Sequence, residues 1–267
     1  MKPKMFPEII ELHTTELCNR KCSFCPRGDG YPNLNQNISL EDAQILFDKI
    51  KEYNYRCKEG EETGNFHITG SGEPTLNPNF VEIVKLFRKN KDIKIKMTTN
   101  GDYIGKKDFS WFEYFDEIRI SIYDGDDRYE EVKKLTKDYS MVDIRKQYET
   151  ALTGTFNNCG GWFPVDNIPD KPCFIPFYRL QVDWNLDIRL CCHDWKEKVV
   201  VANLKDDSLH NIWHESFREY REELIKNNRK NISPCNKCNV NGTLNIYTKR
   251  ESGKQHFNFF KDYYDKL

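Results

Sequence analysis

The sequence predicts an α/β fold in which a partial parallel (β/α) barrel is followed by a small α+β domain. Two observations carry this prediction. Short apolar strands alternate with amphipathic helical patterns from residue 8 to residue 148, as in parallel βαβ units. Beyond residue 148 a stretch rich in Gly, Asn, Asp and Pro leads into a second, cysteine-containing unit. The predicted division is 1–148 for the barrel, 149–172 for a connecting loop, 173–245 for the second domain and 246–267 for a C-terminal extension.

The strands and helices of the barrel are predicted from hydrophobic periodicity. The predicted strands are residues 8–13, 66–69, 93–98, 117–123 and 141–147. A helix over 39–53 begins after Ser39, a good N-cap residue that has Asp42 three positions later. Residues 79–89 are apolar at helical spacing. Because strands and helices alternate, the strands are parallel, and their carboxyl ends form the edge where functional sites of barrels lie.

The second unit is predicted to contain a hairpin and an amphipathic helix. The run FYRLQVDWNLDIRLCCHDW reads as two strands that turn at Asp183, Trp184 and Asn185. The run SLHNIWHESFREYREELIKN places apolar residues at helical spacing. A small α+β unit therefore follows the barrel.

Side chains of the barrel strands divide into an apolar and a polar face. The apolar face suits a layer of helices and carries Ile10, Leu12, Ile68, Ile93, Ile95, Met97, Ile118, Ile120, Ile122, Val142 and Ile144. The polar face carries Glu11, His13, His67, Lys94, Lys96, Arg119, Ser121, Tyr123, Asp143 and Arg145. Packed barrel interiors are dominated by branched apolar residues, so this polar face predicts a lumen that is wet or filled by a polar ligand. In the alternative, these charges pair at the bottom of the barrel or lie on an exposed edge.

Three cysteines, Cys18, Cys22 and Cys25, follow the first predicted strand in the run CNRKCSFCPR. A structural zinc site takes four ligands in a closed tetrahedron, whereas a [4Fe–4S] cluster held by three thiolates keeps one iron open for a second molecule. The spacing therefore favours a cluster with an open iron. The alternatives are a zinc knuckle with a remote fourth ligand and chance clustering of cysteines.

The order CxxxCxxC, with Phe24 before the third cysteine, resembles the signature of the radical S-adenosylmethionine (SAM) enzymes. GSGEP at 70–74 resembles the GGEP motif of that family, with Ser71 in place of the second glycine. The resemblance covers residues 8–148 and implies a barrel of the radical SAM type, in which SAM binds the open iron and yields a 5′-deoxyadenosyl radical. The SAM contacts that it implies are Phe24, Gly70, Gly72, Glu73, Pro74, Thr99, Asn100 and Ser121.

A second cysteine set consists of Cys173, Cys191, Cys235 and Cys238. Four thiolates suit a complete [4Fe–4S] cluster or a zinc site equally well by count. The context resembles the auxiliary-cluster extension of radical SAM proteins in its short "twitch" form, which implies a second [4Fe–4S] cluster. Cys192 is the neighbour of Cys191 on a predicted strand, and neighbouring side chains point to opposite faces, so only Cys191 is expected to be a ligand.

Cys159 lies in NNCGGW, on the loop that joins the two cysteine sites, where related proteins often carry an Asn-Arg-Ala-Gly-like sequence. A thiol gives up its hydrogen atom readily to a carbon radical, so Cys159 is a candidate catalytic hydrogen donor. The alternative is an ordinary loop cysteine. Cys57, in a charged segment, is expected to be structural or incidental.

The whole chain resembles short radical SAM twitch enzymes such as aminocyclitol dehydrogenases and related sugar epimerases. The resemblance implies hydrogen abstraction from a carbinol carbon, with epimerisation through Cys159 as the expected outcome. The alternative outcome is oxidation of the alcohol to a ketone through the auxiliary cluster. The basic residues of the polar face suit an anionic, nucleotide-linked or phosphorylated sugar. The predicted substrate contacts are His67, Lys94, Lys96, Arg119, Tyr123 and Arg145.

Composition limits the possible partners and location. The formal net charge is −1, so no overall positive charge favours nucleic acid. The N-terminal residues MKPKMFPEII contain no long apolar stretch, and no run of about eighteen apolar residues follows. We therefore expect a cytoplasmic protein without a membrane partner, in which metal ligation is a better explanation of the cysteines than disulfides. A flavodoxin- or ferredoxin-type electron donor is implied by the resemblance.

Two other functions remain open. Peptide maturases share the twitch extension, but they commonly carry a leader-binding domain before the first strand, and here the cysteine motif begins at residue 18. A non-enzymatic iron–sulfur or zinc protein explains both cysteine sets. It does not explain GSGEP, the Thr99-Asn100-Gly101 sequence or the polar face of the strands.

Overall fold

The structure is a computed structural model that describes residues 5–57, 63–106, 108–152, 157–196, 198–245, 250–251 and 253–266. Its strands are β1 (Ile9–His13), β2 (Asn65–Thr69), β3 (Lys94–Thr99), β4 (Glu117–Ile122), β5 (Val142–Lys146), β6 (Arg179–Val182), β7 (Asp187–Arg189), β8 (Val200–Asn203), β9 (Leu244–Asn245) and β10 (Arg250–Glu251). Its α-helices are α1 (Leu40–Tyr53), α2 (Phe80–Arg88), α3 (Asp126–Leu135), α4 (Gln147–Leu152), α5 (Ile175–Tyr178), α6 (Leu209–Asn211), α7 (Arg218–Ile225) and α8 (Lys254–Tyr264).

Eight of these strands form one open mixed sheet in the order β5-β4-β3-β2-β1-β6-β7-β8. All pairs among strands β1 to β6 are parallel. The pairs β6–β7 and β7–β8 are antiparallel. The predicted partial parallel barrel is confirmed. The predicted hairpin is also confirmed, and its first strand continues the barrel sheet beside β1. The two units therefore share one sheet, although the division of the chain at 148, 172 and 245 stays a prediction.

The apolar face of the sheet packs against α1 and α2. Ile10, Leu12 and Ile68 are completely buried in this layer. Phe66 of β2 stacks on Phe87 of α2 with ring centroids 4.3 Å apart. Burying each such side chain stabilises the fold by about 1.5–3 kcal/mol. This layer places the carboxyl ends of β1 to β4 at one edge, where the first three cysteines lie.

Helix α1 begins where the sequence predicts. Ser39 accepts a hydrogen bond from the backbone N–H of Asp42 at 3.0 Å, and Asn54 ends the helix in the left-handed region. The amphipathic helix predicted over residues 208–227 is instead broken into α6, a π-helical turn over Ile212–Ser216 and α7. Trp213 and His214 are both buried there. The wider turn brings these two consecutive side chains inward, which regular α-helical spacing does not predict.

Candidate functional site

The first three cysteines lie on the loop between β1 and a short 3₁₀ helix (Pro26–Asp29). Their side chains line one cavity of about 150 Å³ at the carboxyl ends of β2 and β3. The predicted SAM contacts that also line it are Phe24, Gly70, Gly72, Glu73, Thr99 and Asn100. Pro74 and Ser121 are buried and do not line it. The structure thus brings together the cysteine loop, the GSGEP loop and the end of β3.

Arg27 joins the cysteine loop to the GSGEP loop. Its guanidinium is buried and donates to the carbonyls of Ser71 at 2.7 Å, Pro32 at 3.0 Å and Glu16. Asn33 accepts from the backbone N–H of Cys18 at 2.9 Å. Arg27 lies two residues beyond the third cysteine, so these bonds fix the path of the loop.

Arg20 anchors the other side of the same loop. It donates to Asp102 at 2.8 Å and to Asp124 at 3.0 Å, and it lies 5.0 Å from the centre of the Tyr123 ring. The Tyr123 ring stacks on Phe24 at 5.9 Å. Contacts to residues beyond β3 and β4 therefore hold the loop in place before any ligand binds.

Glu73 connects the ends of β2 and β3. Its carboxylate accepts from the Thr99 hydroxyl and the Asn100 backbone N–H, each at 2.7 Å, and from the Thr75 hydroxyl at 2.8 Å. Burial raises the pKa of Glu73, and these three donors oppose that rise. The carboxylate therefore positions the strand ends around the cavity, and its predicted contact with SAM stays a prediction.

Gly72 is required by close approach of two backbones. A Cβ at this position lies 2.4 Å from the Thr15 carbonyl oxygen and 2.5 Å from that of Leu17, so neither contact is relieved by a side-chain rotation. We expect Gly72→Ala to push the GSGEP loop outward, with a destabilisation of about 1–3 kcal/mol and weaker SAM binding. Thermal unfolding and anaerobic calorimetry of SAM binding measure the two effects.

A matched control for Gly72→Ala is Gly125→Ala. Gly125 has a φ of 94° and no atom within 4 Å of its added Cβ, so this change causes backbone strain of about 1–2 kcal/mol without a clash. The control should lower stability and leave SAM affinity unchanged. Equal losses of SAM affinity in both variants contradict the role assigned to the GSGEP backbone.

A buried polar network lies on the inner face of the sheet below this cavity. His13 Nε2 is 2.8 Å from Glu11, and His13 Nδ1 is 3.2 Å from the Ser71 hydroxyl. Arg179 donates to the second oxygen of Glu11 at 2.7 Å, and Gln181 lies 3.0 Å from His13 Nδ1. Ser71, the one departure from the GGEP pattern, therefore links the cavity wall to these side chains.

The predicted cationic substrate contacts form ion pairs along the same face. Lys96 lies 2.9 Å from Glu117, and Arg119 lies 3.0 Å from Glu117 and 3.3 Å from Asp143. Arg145 lies 3.4 Å from Asp143. These pairs favour the alternative in which charges on the polar face pair with one another.

The other predicted substrate contacts are spread over this face. Lys94 is exposed at the start of β3, His67 is buried beside the Glu11 register position, and Tyr123 lines the cavity. Burial, followed by the charge of Arg179, lowers the pKa of His67 well below its usual range. Tyr123 is thus the one predicted substrate contact that borders the cysteine-lined cavity, and the binding roles of the whole set stay predictions.

The second cysteine site lies in the second unit, next to β7. Cys173, Cys235 and Cys238 are buried, and Cys191 is half-buried. Burial raises the pKa of Cys173 and that of Cys235, each to about 12. These thiols are therefore protonated in the metal-free protein and lose their protons when a metal binds.

The reason given for choosing Cys191 over Cys192 is wrong. Strand β7 ends at Arg189, so the two cysteines lie beyond it and not on opposite faces of a strand. Their thiols share a hydrogen bond, which raises the pKa of Cys191 and lowers that of Cys192. Arg179 Nη1 lies 3.4 Å from the Cys192 sulfur and ties it to the inner-face network. Ligation by Cys191 stays a prediction.

Cys159 lies between the two cysteine sites. It is buried, and burial raises the pKa of its thiol to about 12. Smaller contributions in the same direction come from the thiols of Cys25, Cys238 and Cys192. The connecting loop therefore places this side chain near cysteines of both sites.

The loop that carries Cys159 is fixed to the second site. Asn158 and Asn239 exchange backbone-to-side-chain hydrogen bonds of 2.9 and 3.1 Å, and the Asn158 amide donates to the Lys237 carbonyl at 2.7 Å. Gly160 has a φ of 66°, and a Cβ there lies 2.4 Å from the His193 carbonyl oxygen. The NNCGG loop thus packs against the end of the CNKC segment (Cys235–Cys238) and Asn239.

Two tryptophans from the chain that follows the barrel lie beside the first site. Trp195 lines the cavity, and its ring meets Tyr31 edge-on at 5.1 Å. Trp162 meets the same Tyr31 ring at 5.6 Å and donates to Asp29 at 3.0 Å. These contacts place Tyr31 between the two tryptophans beside the first site.

The donor sets suit the groups that the sequence implies. Three thiols line the first cavity, and four of the five thiols in the second unit are the predicted ligands, which are the numbers that an open and a complete [4Fe–4S] cluster take. Among the described residues, no three His, Cys, Asp or Glu side chains converge as a single metal ion requires. The structure therefore supports two thiol-lined sites without a preformed ligand geometry.

A larger cavity of about 460 Å³ lies beside the first site. Thr99 and Gly101 border it, and Tyr103, Phe109 and Trp111 supply aromatic walls. No cysteine is among its described lining residues. We therefore place the chemistry in the smaller cavity, where the thiols are.

Several residues of the site escaped prediction. His13 belongs to the polar face, but only the fold shows its contacts with Glu11 and Ser71. Gln181 joins this network because β6 pairs with β1, and the sequence predicts no such pairing. The only feature of the sequence that could have identified Arg27 is its position two residues after Cys25.

Two family models match the chain. Residues 12–157 match the Radical SAM superfamily, and residues 173–239 match SPASM, an iron–sulfur cluster-binding domain. The S-adenosyl-L-methionine-dependent 2-deoxy-scyllo-inosamine dehydrogenase of Niallia circulans is 22% identical over 255 residues, which are 88% of this chain and 94% of the relative.

GTP 3′,8-cyclases match over a smaller share of their length. The enzyme of Shewanella denitrificans is 30% identical over 107 residues, 39% of this chain and 29% of the relative. That of Pasteurella multocida is 26% identical over 217 residues, 76% of this chain and 60% of the relative. The chain thus spans less than two thirds of either cyclase.

Among solved structures, BtrN in complex with AdoMet and 2-DOIA superposes with a TM-score of 0.74 at 21% identity, covering 94% of this chain and 97% of that one. Native anSMEcpe with bound AdoMet superposes with a TM-score of 0.53 at 13% identity, covering 97% of each chain. These similarities establish the fold. None of the described helices is long and apolar enough to cross a membrane.

Proposed function

Because this chain belongs to the radical SAM superfamily, we propose that it oxidises a secondary alcohol of a small, sugar-like substrate to a ketone. The observation that carries the proposal is the pair of thiol-lined sites, of three and four cysteines, with a polar inner face between them. In this superfamily SAM and a [4Fe–4S] cluster supply a hydrogen-abstracting radical, and the SPASM domain binds further iron–sulfur. The 2-deoxy-scyllo-inosamine dehydrogenase that matches nearly the whole chain favours oxidation over epimerisation.

Oxidation of R₂CH–OH to R₂C=O removes two protons and two electrons. One proton and one electron leave together as the hydrogen atom taken by the 5′-deoxyadenosyl group. The second proton leaves the hydroxyl, and the second electron needs an acceptor near the substrate. Cys173, Cys191, Cys235 and Cys238 are the residues proposed to hold that acceptor. A flavodoxin- or ferredoxin-type donor would supply the electron for SAM cleavage.

His13 is the residue that we propose to accept the hydroxyl proton. Its ring reaches the cavity wall through Ser71, and Glu11 lies at its other nitrogen. A carboxylate beside the far nitrogen fixes the orientation of the ring, as in other acid–base pairs. Arg179 and Gln181 hold Glu11 and His13 in this arrangement.

His13→Gln should uncouple SAM cleavage from oxidation of the alcohol. Loss of a general base typically reduces turnover about 10²–10⁴-fold, so ketone formation should fall by that factor while cleavage of SAM continues. Chromatography of 5′-deoxyadenosine and of the ketone in one sample measures both. His210→Gln, in the second unit beside His214, is the matched control and should change neither. Equal loss of both products in His13→Gln contradicts the role as base.

The substrate that fits best is a neutral or amino-substituted cyclitol. The three cations Lys96, Arg119 and Arg145 share the two carboxylates of Glu117 and Asp143, which leaves one positive charge in place of three and weakens the reason for an anionic ligand. The aminocyclitol named for the Niallia circulans relative is therefore a better first candidate than a sugar phosphate.

Epimerisation is the second candidate function, and the position of Cys159 favours it. Its buried thiol lies near cysteines of both sites, where a substrate radical would form. In this case the thiol delivers its hydrogen atom to the opposite face of the carbon, and the resulting thiyl radical needs one electron and one proton to return to the thiol. Two properties distinguish this reaction from oxidation. One is the number of electrons consumed, and the other is whether the carbinol carbon is inverted or becomes a ketone.

Transfer of a labelled hydrogen tests the proposed abstraction. The probe is 2-deoxy-scyllo-inosamine deuterated at its ring carbinol carbons, incubated with the reduced enzyme and SAM. We expect one deuterium in 5′-deoxyadenosine, because the radical takes hydrogen from a carbinol carbon. Unlabelled 5′-deoxyadenosine formed at the same rate with and without the cyclitol contradicts this substrate class, and GTP tested in parallel reports on cyclase activity.

A further inference from the structure

Arg229 is a buried cation at the second cysteine site. It begins the 3₁₀ helix Arg229–Asn231 and is only 4% exposed. Its Nε donates to the Cys235 carbonyl at 2.8 Å, and its Nη2 donates to the Cys238 carbonyl. Its remaining nitrogen, Nη1, is buried and has no hydrogen-bond partner among the described residues. The side chain therefore donates to the backbone carbonyls of both cysteines of the CNKC segment, and its Nη1 donor stays unsatisfied.

The charge of Arg229 is not balanced by a described carboxylate. Glu222 and Glu223 of the nearby helix α7 pair with Arg218 and Lys226 instead. A guanidinium taken out of water is stabilised by an anion or by a full set of acceptors, and an anion beside Nη1 would complete the set here. A cluster held by four thiolates is such an anion.

We propose that Arg229 is the counter-ion of the auxiliary iron–sulfur cluster and raises its reduction potential. Reduction adds one negative charge to a group that is shielded from water, and a fixed cation beside that group stabilises the added charge. The unsatisfied Nη1 is a donor available to a cluster sulfur. A higher reduction potential makes the cluster a better electron acceptor. The proposed function requires such an acceptor, but the effect of Arg229 on the potential does not depend on which substrate is oxidised.

The potential of the auxiliary cluster can be measured alone in a Cys18→Ala, Cys22→Ala, Cys25→Ala background, by a redox titration followed by electron paramagnetic resonance. Arg229→Gln removes the charge and Arg229→Lys keeps it. We expect Arg229→Gln to lower the equilibrium constant for one-electron reduction at least tenfold, a shift of about 59 mV. The reduction potential of the Arg229→Lys variant should stay close to that of the parent.

Arg221→Gln is a matched control for the loss of a buried arginine. Arg221 lies 3.8 Å from the centre of the Phe260 ring and 4.2 Å from that of Trp213, and burial lowers its pKa to about 10. This variant should leave the potential unchanged, whatever it does to stability.

Four results overturn the proposal. They are an unchanged potential in Arg229→Gln, an equal shift in Arg229→Gln and Arg229→Lys, zinc in place of iron at the parent site, and loss of the cluster from both variants. If Arg229→Gln fails to retain a cluster, retention by Arg229→Lys at the parent potential supports the need for charge. Loss of the cluster from both variants shows that Arg229 only holds the two carbonyls. Because no substrate is present, none of these results bears on the reaction proposed above.

Discussion

Simultaneous replacement of Cys18, Cys22 and Cys25 by alanine is expected to abolish SAM cleavage and to leave about half of the iron, since each of the two sites takes one four-iron cluster. The three thiols line the same cavity as the GSGEP loop, so their loss removes the first cluster and the place where SAM binds. Iron and sulfide analysis after anaerobic reconstitution, with chromatography of 5′-deoxyadenosine, measures the result.

Cys57→Ala is the control for this variant. Cys57 is half-buried, and its sulfur lies 3.8 Å from the Gly64 carbonyl oxygen, outside both cysteine sites. It should keep all of the iron and full SAM cleavage. Retention of SAM cleavage by the triple variant contradicts the assignment of the first site, and zinc in place of the remaining iron contradicts the auxiliary cluster.

Replacement of Cys235 and Cys238 by alanine should separate SAM cleavage from substrate oxidation. Both thiols are buried in the second unit, and neither lines the first cavity. We expect loss of the auxiliary cluster, with 5′-deoxyadenosine still formed and ketone formation reduced at least 100-fold, which corresponds to about 2.7 kcal/mol of lost transition-state stabilisation. The ratio of ketone to 5′-deoxyadenosine in one reaction measures it.

The most informative comparison for this second prediction is the single variant Cys192→Ala. The sulfur of Cys192 accepts a hydrogen bond from Arg179, and Cys192 is not a proposed ligand. It should keep the auxiliary cluster, whereas Cys191→Ala should lose it. The reverse pattern assigns the ligand to Cys192, and undiminished ketone formation in the Cys235, Cys238 variant rules out the auxiliary cluster as electron acceptor.

Local sequence patterns predicted the first half of the fold well. Strands β1 to β5 follow from two-residue alternation, and α1 follows from Ser39 and the apolar spacing after it. The cysteine motif and GSGEP lie at adjacent strand ends because parallel strands bring their carboxyl ends to one edge. These features depend on short stretches of chain, which is why they can be read before the fold is known.

Features that depend on distant contacts could not be read in this way. The pairing of β6 with β1 joins residues about 170 positions apart and brings Arg179 and Gln181 to the inner face. Arg229 is an ordinary basic residue in the sequence, and only its burial beside Cys235 and Cys238 identifies it. Such contacts are fixed by tertiary packing.

The charges on the inner face illustrate a different limit. Alternation along β3, β4 and β5 showed which side chains share a face, but it did not show how they pair. Lys96, Arg119 and Arg145 suggested an anionic substrate until Glu117 and Asp143 were found between them. Register across neighbouring strands decides such pairs, and register is set by the whole sheet.

The measurement that tests the central claim most directly is the product formed by the wild-type enzyme from 2-deoxy-scyllo-inosamine in deuterated water, with Cys159→Ala in parallel. Oxidation predicts a ketone that has lost two hydrogens, no solvent deuterium on the reacting carbon and an active Cys159→Ala variant. An epimer with one non-exchangeable deuterium at the inverted carbon, together with loss of that product in Cys159→Ala, contradicts oxidation. That result establishes Cys159 as the hydrogen donor, since its S–H proton exchanges with the solvent.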